Sequence, residues 1–409
     1  MSGAAAAVTV DITPPSPIEL FGYSFRTDRS HGVGERLEAN VLVLEDPGGP
    51  ILVVAVDALY GGQFRRLLAA QLRVPEDRVL VLGSHTHFAP GVDSGLPLLG
   101  PTSTTFLEWA ADRIASAIRA RDDAEPVESR YGQVVVDGLF VNRRRPTFGV
   151  GIPVPSRGKV TLAPHQRGHV DDMARSVTLS VGDRPLAVLW GVSCHPVCSP
   201  DPRQISSCYV GAVRDRIRGS WSAPGLPVLF VQGFSGDVRP ASVSRRPPRG
   251  ARNLAEYILA GGRRFAPQSN DEYRAWCSSL SARVLESLSQ AGMGTPQSAM
   301  FGITRVTHHP PGWGRAIEGT RVELSHDISI FAVNAEVMSE RVTSLRSIAA
   351  SVLPAGCADE VIGYWPTNRM LREGGYEGCT SQRFFPALDW SHGDAPDARW
   401  DDLVESLSH

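Results

Sequence analysis

Two histidines one residue apart, His85 and His87, lie in Ser84-His85-Thr86-His87-Phe88-Ala89-Pro90-Gly91, directly after the apolar run 78–82. In extended chain, residues i and i+2 point the same way, so two imidazoles would face one side. Imidazole is the commonest metal ligand and also a general acid or base near neutral pH. The pattern therefore admits a metal centre or a pair of hydrogen-bonded histidines. A third histidine, His195, follows the apolar run 185–192 in Ser193-Cys194-His195-Pro196. Cys194 and Cys198 flank it. Thiolates bind zinc, but this spacing is not that of a zinc-finger pair, and buried cysteine is the simpler role. A third run, 227–232, ends in Gly233-Phe234-Ser235-Gly236-Asp237-Val238-Arg239-Pro240. Glycines on both sides of Ser235 approach a nucleophile elbow. The second comes one residue early for G-x-S-x-G, which leaves a tight glycine turn.

The elements that deliver these turns read as strands alternating with helices. Residues 51–56 (ILVVAV) form a buried strand, 63–72 a short helix and 78–82 the next strand, a unit that argues for an α/β sheet. A helix follows from about Thr105, with capping-box spacing to Glu108 and a stripe of Phe106, Ala110, Ile114 and Ile118. Strands are expected at 176–181, 185–192 and 227–232. A longer helix is expected over 271–291, capped by Ser269 and Glu272 and stopped by Gly292. Its buried face is Trp276, Leu280, Val284 and Leu288. Segments 144–170 and 240–252 read as Arg-, Pro- and Gly-rich loops. No repeat and no composition break divides residues 1–409, so one α/β catalytic domain of mixed β-sheets layered with helices is expected.

Composition narrows the partners. The 409 residues carry a formal net charge of −2, which gives no global basic field for nucleic acid. Lys159 is the only lysine among 41 basic residues. A GC-rich genome would give such an arginine-rich composition, yet arginine also serves bidentate anion sites better than lysine does. No apolar run approaches the ~18 residues of a membrane span. The N-terminus lacks the pattern of a secretory signal, and six cysteines without a CxxC pair favour a reducing, cytoplasmic setting. No exposed apolar stripe sets an oligomeric state.

In their order and spacing, these turns resemble the neutral (non-lysosomal) ceramidase family. Asp11-Ile12-Thr13-Pro14-Pro15 and Phe21-Gly22-Tyr23 resemble that family's DITPP…GY start. The strand ending at Asp57 is similar to another of its segments. Residues 84–91 resemble its THTHSGPG motif, and Asn142-Arg143 with Pro146 its NRSP segment. His195-Pro196 resembles its HP turn, and Gly236-Asp237-Val238-Arg239-Pro240 its GDVSPN motif. Val333-Asn334-Ala335-Glu336-Val337 resembles its PGE segment. Tyr364 and Tyr376-Glu377 resemble two tyrosines twelve residues apart. The resemblance runs over about residues 9–380.

The resemblance implies a zinc amidohydrolase that cleaves an amide C–N bond. The Zn²⁺ ligands would be His85, His195, Glu336 and Tyr364, a set suited to zinc chemistry. His87, Arg143 and Tyr376 would surround the carbonyl, orienting it and stabilising its oxyanion, and Asp237 would be a further catalytic residue. Gly22, Ser235 and Arg239 would line the substrate site.

Arg239 marks a departure. It stands where the family keeps a serine proposed as nucleophile, and arginine cannot play that part. Two routes remain: zinc can lower the pKa of water to about 7 and supply hydroxide, or Ser235 can take over. Arginine beside the reaction centre points to a small anionic substrate rather than a long-chain lipid. The Arg245, Arg246, Arg249 and Arg252 run would extend the positive charge. The chain is also expected to lack the family's C-terminal sandwich domain. A zinc enzyme of cyclisation, elimination or acyl transfer in small-molecule metabolism, and a catalytically silent binding protein, are the other readings.

Overall fold

The run Ile51–Val56 is buried at every position because both its faces are covered. Leu52, Val54 and Val56 point into a core shared with the helices Phe64–Leu72 and Thr104–Arg119. Ile51, Val53 and Ala55 point the other way, into a core shared with Leu189, Val231, Ile330 and Leu353. A continuous apolar strand of this kind belongs to the inside of a layered α/β structure. In the computed structural model, described here for residues 2–408 apart from 16, 25, 27, 148–158, 249–252, 255–256, 259–260, 311–312, 387, 389 and 391–395, that strand sits second in a five-stranded sheet. Val79–Gly83 pairs with it in parallel, Glu38–Leu44 pairs antiparallel on its other side, and Ala4–Asp11 and Glu125–Pro126 follow.

A second five-stranded sheet packs against the first. Its order is Val228–Gln232, Arg184–Val192, Met173–Val181, Glu128–Val135 and Gln297–Ser298, with only the first pair parallel. A four-stranded sheet (Gly302–His308, Ile317–Glu323, Ile328–Val333, Ser351–Ala355) lends Val322, Ile330 and Leu353 to the same core. The far face of the second sheet, with Val188, Trp190 and Phe230, is covered by the helices Tyr209–Ser220 and Asn270–Met293. The layers are therefore helix, sheet, sheet, helix, matching the expected mixed sheets layered with helices. Among the described residues no helix is long and apolar enough to cross a membrane.

Local details depart from the sequence reading in four places. Ser103, not Thr105, caps the first long helix: its Oγ accepts the Phe106 N–H at 3.2 Å, which starts the helix at Thr104. The helix capped by Ser269 and Glu272 runs through Gly292 to Met293, with Gly294 at its end. Gly292 lies within the helix and does not stop it. Of segment 144–170, residues 148–158 lie outside the described residues, and the rest is not a plain loop. Phe140–Pro146 and Val160–His165 form an antiparallel pair, and Val238–Pro240 adds to the former. Within 240–252, Val243–Ser244 pairs with Arg264–Phe265, while Arg249 and Arg252 lie outside the described residues.

Candidate metal centre

The parallel strands Val79–Gly83 and Val228–Gln232, and Arg184–Val192 beside the latter, all end at one edge of the layered sheets. Their C-terminal turns carry the histidines. His85 and His87 do converge, with ring centroids 5.2 Å apart and planes at 85°, but strand alternation does not bring them together. The strand stops at Gly83, and His85 itself has φ +64. That left-handed conformation is costly for a residue with a Cβ, and such strain gathers at functional sites. Main-chain bonds from Ser84 to Val56 and from His85 to Ala58, each 2.9 Å, hold the turn in place. His195 joins them, 4.7 Å from His85 and 6.3 Å from His87 by ring centroid.

Each imidazole is oriented through Nδ1 by main-chain carbonyls. His85 Nδ1 lies 3.1 Å from the Leu59 oxygen, and His87 Nδ1 lies 3.0 Å from that of Gly22. His195 Nδ1 lies 2.7 Å from the Ser235 oxygen and 3.1 Å from that of Val238. Donation from Nδ1 leaves Nε2 with a bare lone pair, the tautomer that metal-binding histidine adopts. One ligand nitrogen from each of the three lies within 4.8 Å of the others. Burial and the charges of its fellow histidines push His87 well below its ordinary pKa. Burial, then Arg143, brings His195 down to about 3. Both therefore stay neutral near pH 7.

Glu336 completes the cluster. It begins the two-residue strand Glu336–Val337, paired in parallel with Tyr364–Trp365 so that Glu336 and Tyr364 are direct cross-strand partners. Its Oε2 lies 3.2 Å from His195 Nε2 and 3.5 Å from His85 Nε2. Tyr60, which sequence reasoning missed, donates its hydroxyl to Oε1 at 2.7 Å. Burial alone would raise the Glu336 carboxyl; His85 and His195 overcome it and hold the group ionised, well below the ordinary carboxylate range. Within this cluster three buried atoms have no hydrogen bond from the described residues: His85 Nε2, His87 Nε2 and Glu336 Oε2. Buried polar atoms are normally paired, and unpaired ones of this kind mark an absent ion or water. Bonds of about 2.0–2.1 Å at tetrahedral angles put ligand atoms roughly 3.3 Å apart. The two contacts of Oε2 bracket that edge length, so the donor set fits a zinc-sized cation.

A cationic wall faces this cluster. Arg143 is 5% exposed. One of its terminal nitrogens donates to Tyr364 Oη at 3.1 Å, another lies 3.3 Å from His195 Nε2, and its Nε donates to Glu377 at 2.7 Å. Arg144, the next residue, donates to the other Glu377 oxygen, also at 2.7 Å. Neighbours along a strand normally face opposite ways. Here the ladder slips between Asn142 and Arg144, and this bulge turns both guanidiniums toward one carboxylate. Tyr376 is half-buried, its ring 5.4 Å from Tyr364 and beneath Arg143. Burial raises the Tyr364 phenol well above its ordinary pKa, and burial with Glu336 brings Tyr376 to about 12.

The turn 233–240 supports the site from behind. Gly236 fits because a Cβ there would lie 2.9 Å from the Glu336 and Val337 oxygens. Ser235 is 3% exposed; its carbonyl holds His195 and its hydroxyl accepts from Gln232. Asp237 accepts from Asn142 Nδ2 at 2.7 Å and from the Ser339 N–H at 2.8 Å, tying the turn to two neighbouring segments. Arg239 is half-buried with its guanidinium 4.5 Å over the Phe265 ring. Gly22 has φ +99, and a Cβ there would lie 2.8 Å from His87 Nδ1. Cys194, Cys198 and Cys208 pack into the core behind, where burial pushes the thiols of Cys194 and Cys198 well up. Among the described residues the metal-capable group contains no cysteine.

The structure thus gathers His85, His87, His195, Glu336, Tyr364, Arg143 and Tyr376 at one place, with Gly22 beneath His87. Tyr60, Arg144 and Glu377 join them. Only the position of Tyr60, just beyond the buried strand ending near Asp57, hinted at its presence.

No protein-family model matches the chain, and no curated protein does. Solved structures do match. A crystal structure of neutral ceramidase from Pseudomonas aeruginosa superposes with a TM-score of 0.75 at 14% identity, over 100% of this chain and 74% of that one. A ceramidase complexed with C2 superposes with a TM-score of 0.73 at 14% identity, over 100% of this chain and 75% of that one. The fold of this chain is that of the neutral ceramidases.

Proposed function

We propose that the protein is a zinc-dependent amidohydrolase that cleaves the C–N bond of a small anionic amide. The observation that carries this reading is the set of sealed, partnerless atoms, His85 Nε2 and Glu336 Oε2, meeting His195 Nε2 at tetrahedral-edge distances. His85, His195, Glu336 and Tyr364 are the residues that would hold the metal. Bound zinc supplies Lewis acidity, which makes water a nucleophile near neutral pH without a serine.

The chain's own groups do the rest. Arg143 and Tyr376 hold the carbonyl oxygen and stabilise its charge as the carbon becomes tetrahedral. Arg143 is fixed for this by Glu377, so it need not reorganise during the reaction. His87, neutral and with Nε2 open, accepts the proton of the attacking water and returns it to the departing amine. Asp237 and Ser235 keep the His195 turn in place, and Arg239 meets the anionic group of the substrate.

Metal analysis of the purified chain tests the reading, together with hydrolysis of a panel of N-acyl amino acids. About one zinc per chain is expected, lost in His85→Ala and His195→Ala. His87→Ala is expected to keep its zinc and lose turnover. Zinc-replete protein that binds none refutes the centre. Loss of zinc in His87→Ala as complete as in His85→Ala assigns His87 to the metal and removes its proton-transfer role.

A further inference from the structure

Nearly every deeply placed arginine in this chain has a carboxylate partner. Arg143 and Arg144 share Glu377, Arg214 pairs with Asp57, Arg305 with Asp359 and Arg315 with Asp93. Two arginines near the histidine cluster do not follow this pattern. The Arg239 side chain makes no hydrogen bond or ion pair with the described residues; its guanidinium rests on the face of Phe265, 4.5 Å from Cζ. Its nitrogens are not among the sealed partnerless atoms, so they reach open space. Arg26 spends its terminal nitrogens on main-chain oxygens, both donating to His87 at 3.0 Å and one also to Phe21 at 3.3 Å. Among the described residues no carboxylate forms an ion pair with either.

Both arginines act on one ring. Arg26 Cζ lies 5.0 Å over Tyr23, and Arg239 and Arg26 are the two cations whose charge acts on the Tyr23 phenol. The Tyr23 ring in turn packs 4.7 Å from His87. The position of Arg239 relative to the centre is also fixed by the main chain. Its neighbour Val238 gives its carbonyl to both the N–H and Nδ1 of His195, at 3.1 Å each. An uncompensated guanidinium in half-buried surroundings is costly unless an anion arrives with a ligand. Its planar fork matches a carboxylate in two parallel hydrogen bonds.

We infer that Arg239, seated on Phe265 and seconded by Arg26 across the Tyr23 ring, is the specificity-determining residue of the site. It receives a carboxylate carried by the substrate close to the scissile amide. The substrate class is then amides bearing a free carboxylate, such as N-acyl amino acids. This inference rests on the hydrolase reading for its reaction, but not for its binding event.

The test separates the two. N-benzoylglycine and its uncharged amide, N-benzoylglycinamide, are titrated calorimetrically into zinc-loaded and chelator-treated protein. The carboxylate is expected to bind at least about tenfold more tightly in both forms, because the preference comes from arginine rather than from the metal. Arg239→Gln should bring the two ligands to within about twofold with zinc content unchanged, and Arg239→Lys should restore part of the difference. Equal binding of the two ligands to the unaltered protein overturns the inference. So does a preference that survives in Arg239→Gln, or one that vanishes on chelation. Should Arg239→Gln not fold, the Arg239→Lys and unaltered proteins carry the comparison. A carboxylate preference in protein that binds no zinc would refute the hydrolase reading and leave this one standing.

Discussion

Replacing Tyr60 by Phe removes one oxygen from the interior and little else. Tyr60 is 2% exposed and Glu336 3%, so water cannot take the place of the lost hydroxyl. That hydroxyl is the donor to Glu336 Oε1, at 2.7 Å. Burial and the nearby carboxylate raise the Tyr60 phenol well above its ordinary pKa, so it keeps its proton and acts as a donor. A hydrogen bond to a charged group contributes about 1.5–3 kcal/mol, a factor of roughly 10–150 in an equilibrium constant. Residues that orient metal ligands typically change metal affinity by about 10–100-fold, which agrees. Tyr60→Phe should therefore weaken zinc binding by one to two orders of magnitude, measured by competition with a chromophoric chelator at pH 7. The phenyl ring fills nearly the same space, so no large cavity adds to the effect. Zinc affinity within about twofold of the unaltered protein would refute the reasoning: either Glu336 is not a ligand, or its free oxygen needs no help in facing His85 and His195.

Three further outcomes are expected. Glu377→Gln removes the carboxylate shared by two buried arginines, leaving Arg144 paired with Glu373 and Arg143 with no ion-pair partner among the described residues; it should cost about 3–5 kcal/mol, read as a lower urea midpoint, and an unchanged midpoint would mean that Arg143 finds another partner. In metal-free protein, His195 titrates near 3 folded and near 6.5 unfolded. The unfolded chain therefore takes up the proton first as the pH drops. Stability should fall from about pH 6.5 down to about pH 3, by up to about 1.4 kcal/mol per unit, and His195→Gln should flatten that slope. Gly22→Ala forces a Cβ against His87 at a backbone angle worth about 1–3 kcal/mol of strain. Zinc content should survive while turnover falls at least about tenfold, and full activity would show that His87 can shift at no cost.

The strands and helices were legible because burial writes itself into composition. The both-sides-covered run Ile51–Val56 and the capping box at Ser269 and Glu272 stand in the sequence as they stand in the fold. The histidines were legible as types but not as geometry. Their convergence depends on a left-handed residue at His85, and nothing about histidine announces that conformation. The Arg143–Arg144 fork was hidden for a related reason. Its common target lies more than 230 positions away, and only a strand bulge lets consecutive side chains share it. Tyr60 escaped notice because its partner, Glu336, is 276 positions distant. Strand-internal patterns are local, whereas the site is assembled from strand ends that meet only after the sheets have stacked.

All three imidazoles have Nδ1 set against peptide oxygens. Every amino acid carries such an oxygen. Most residues that aim the histidines can therefore be exchanged, provided the path of the main chain is kept; Gly22 is the exception, held by its backbone angle and by the space beneath His87. A centre built this way leaves a faint imprint on the order of residue types around it. Its memory is held chiefly in the trajectory of the backbone, which keeps its shape where only 14% of the residues are the same.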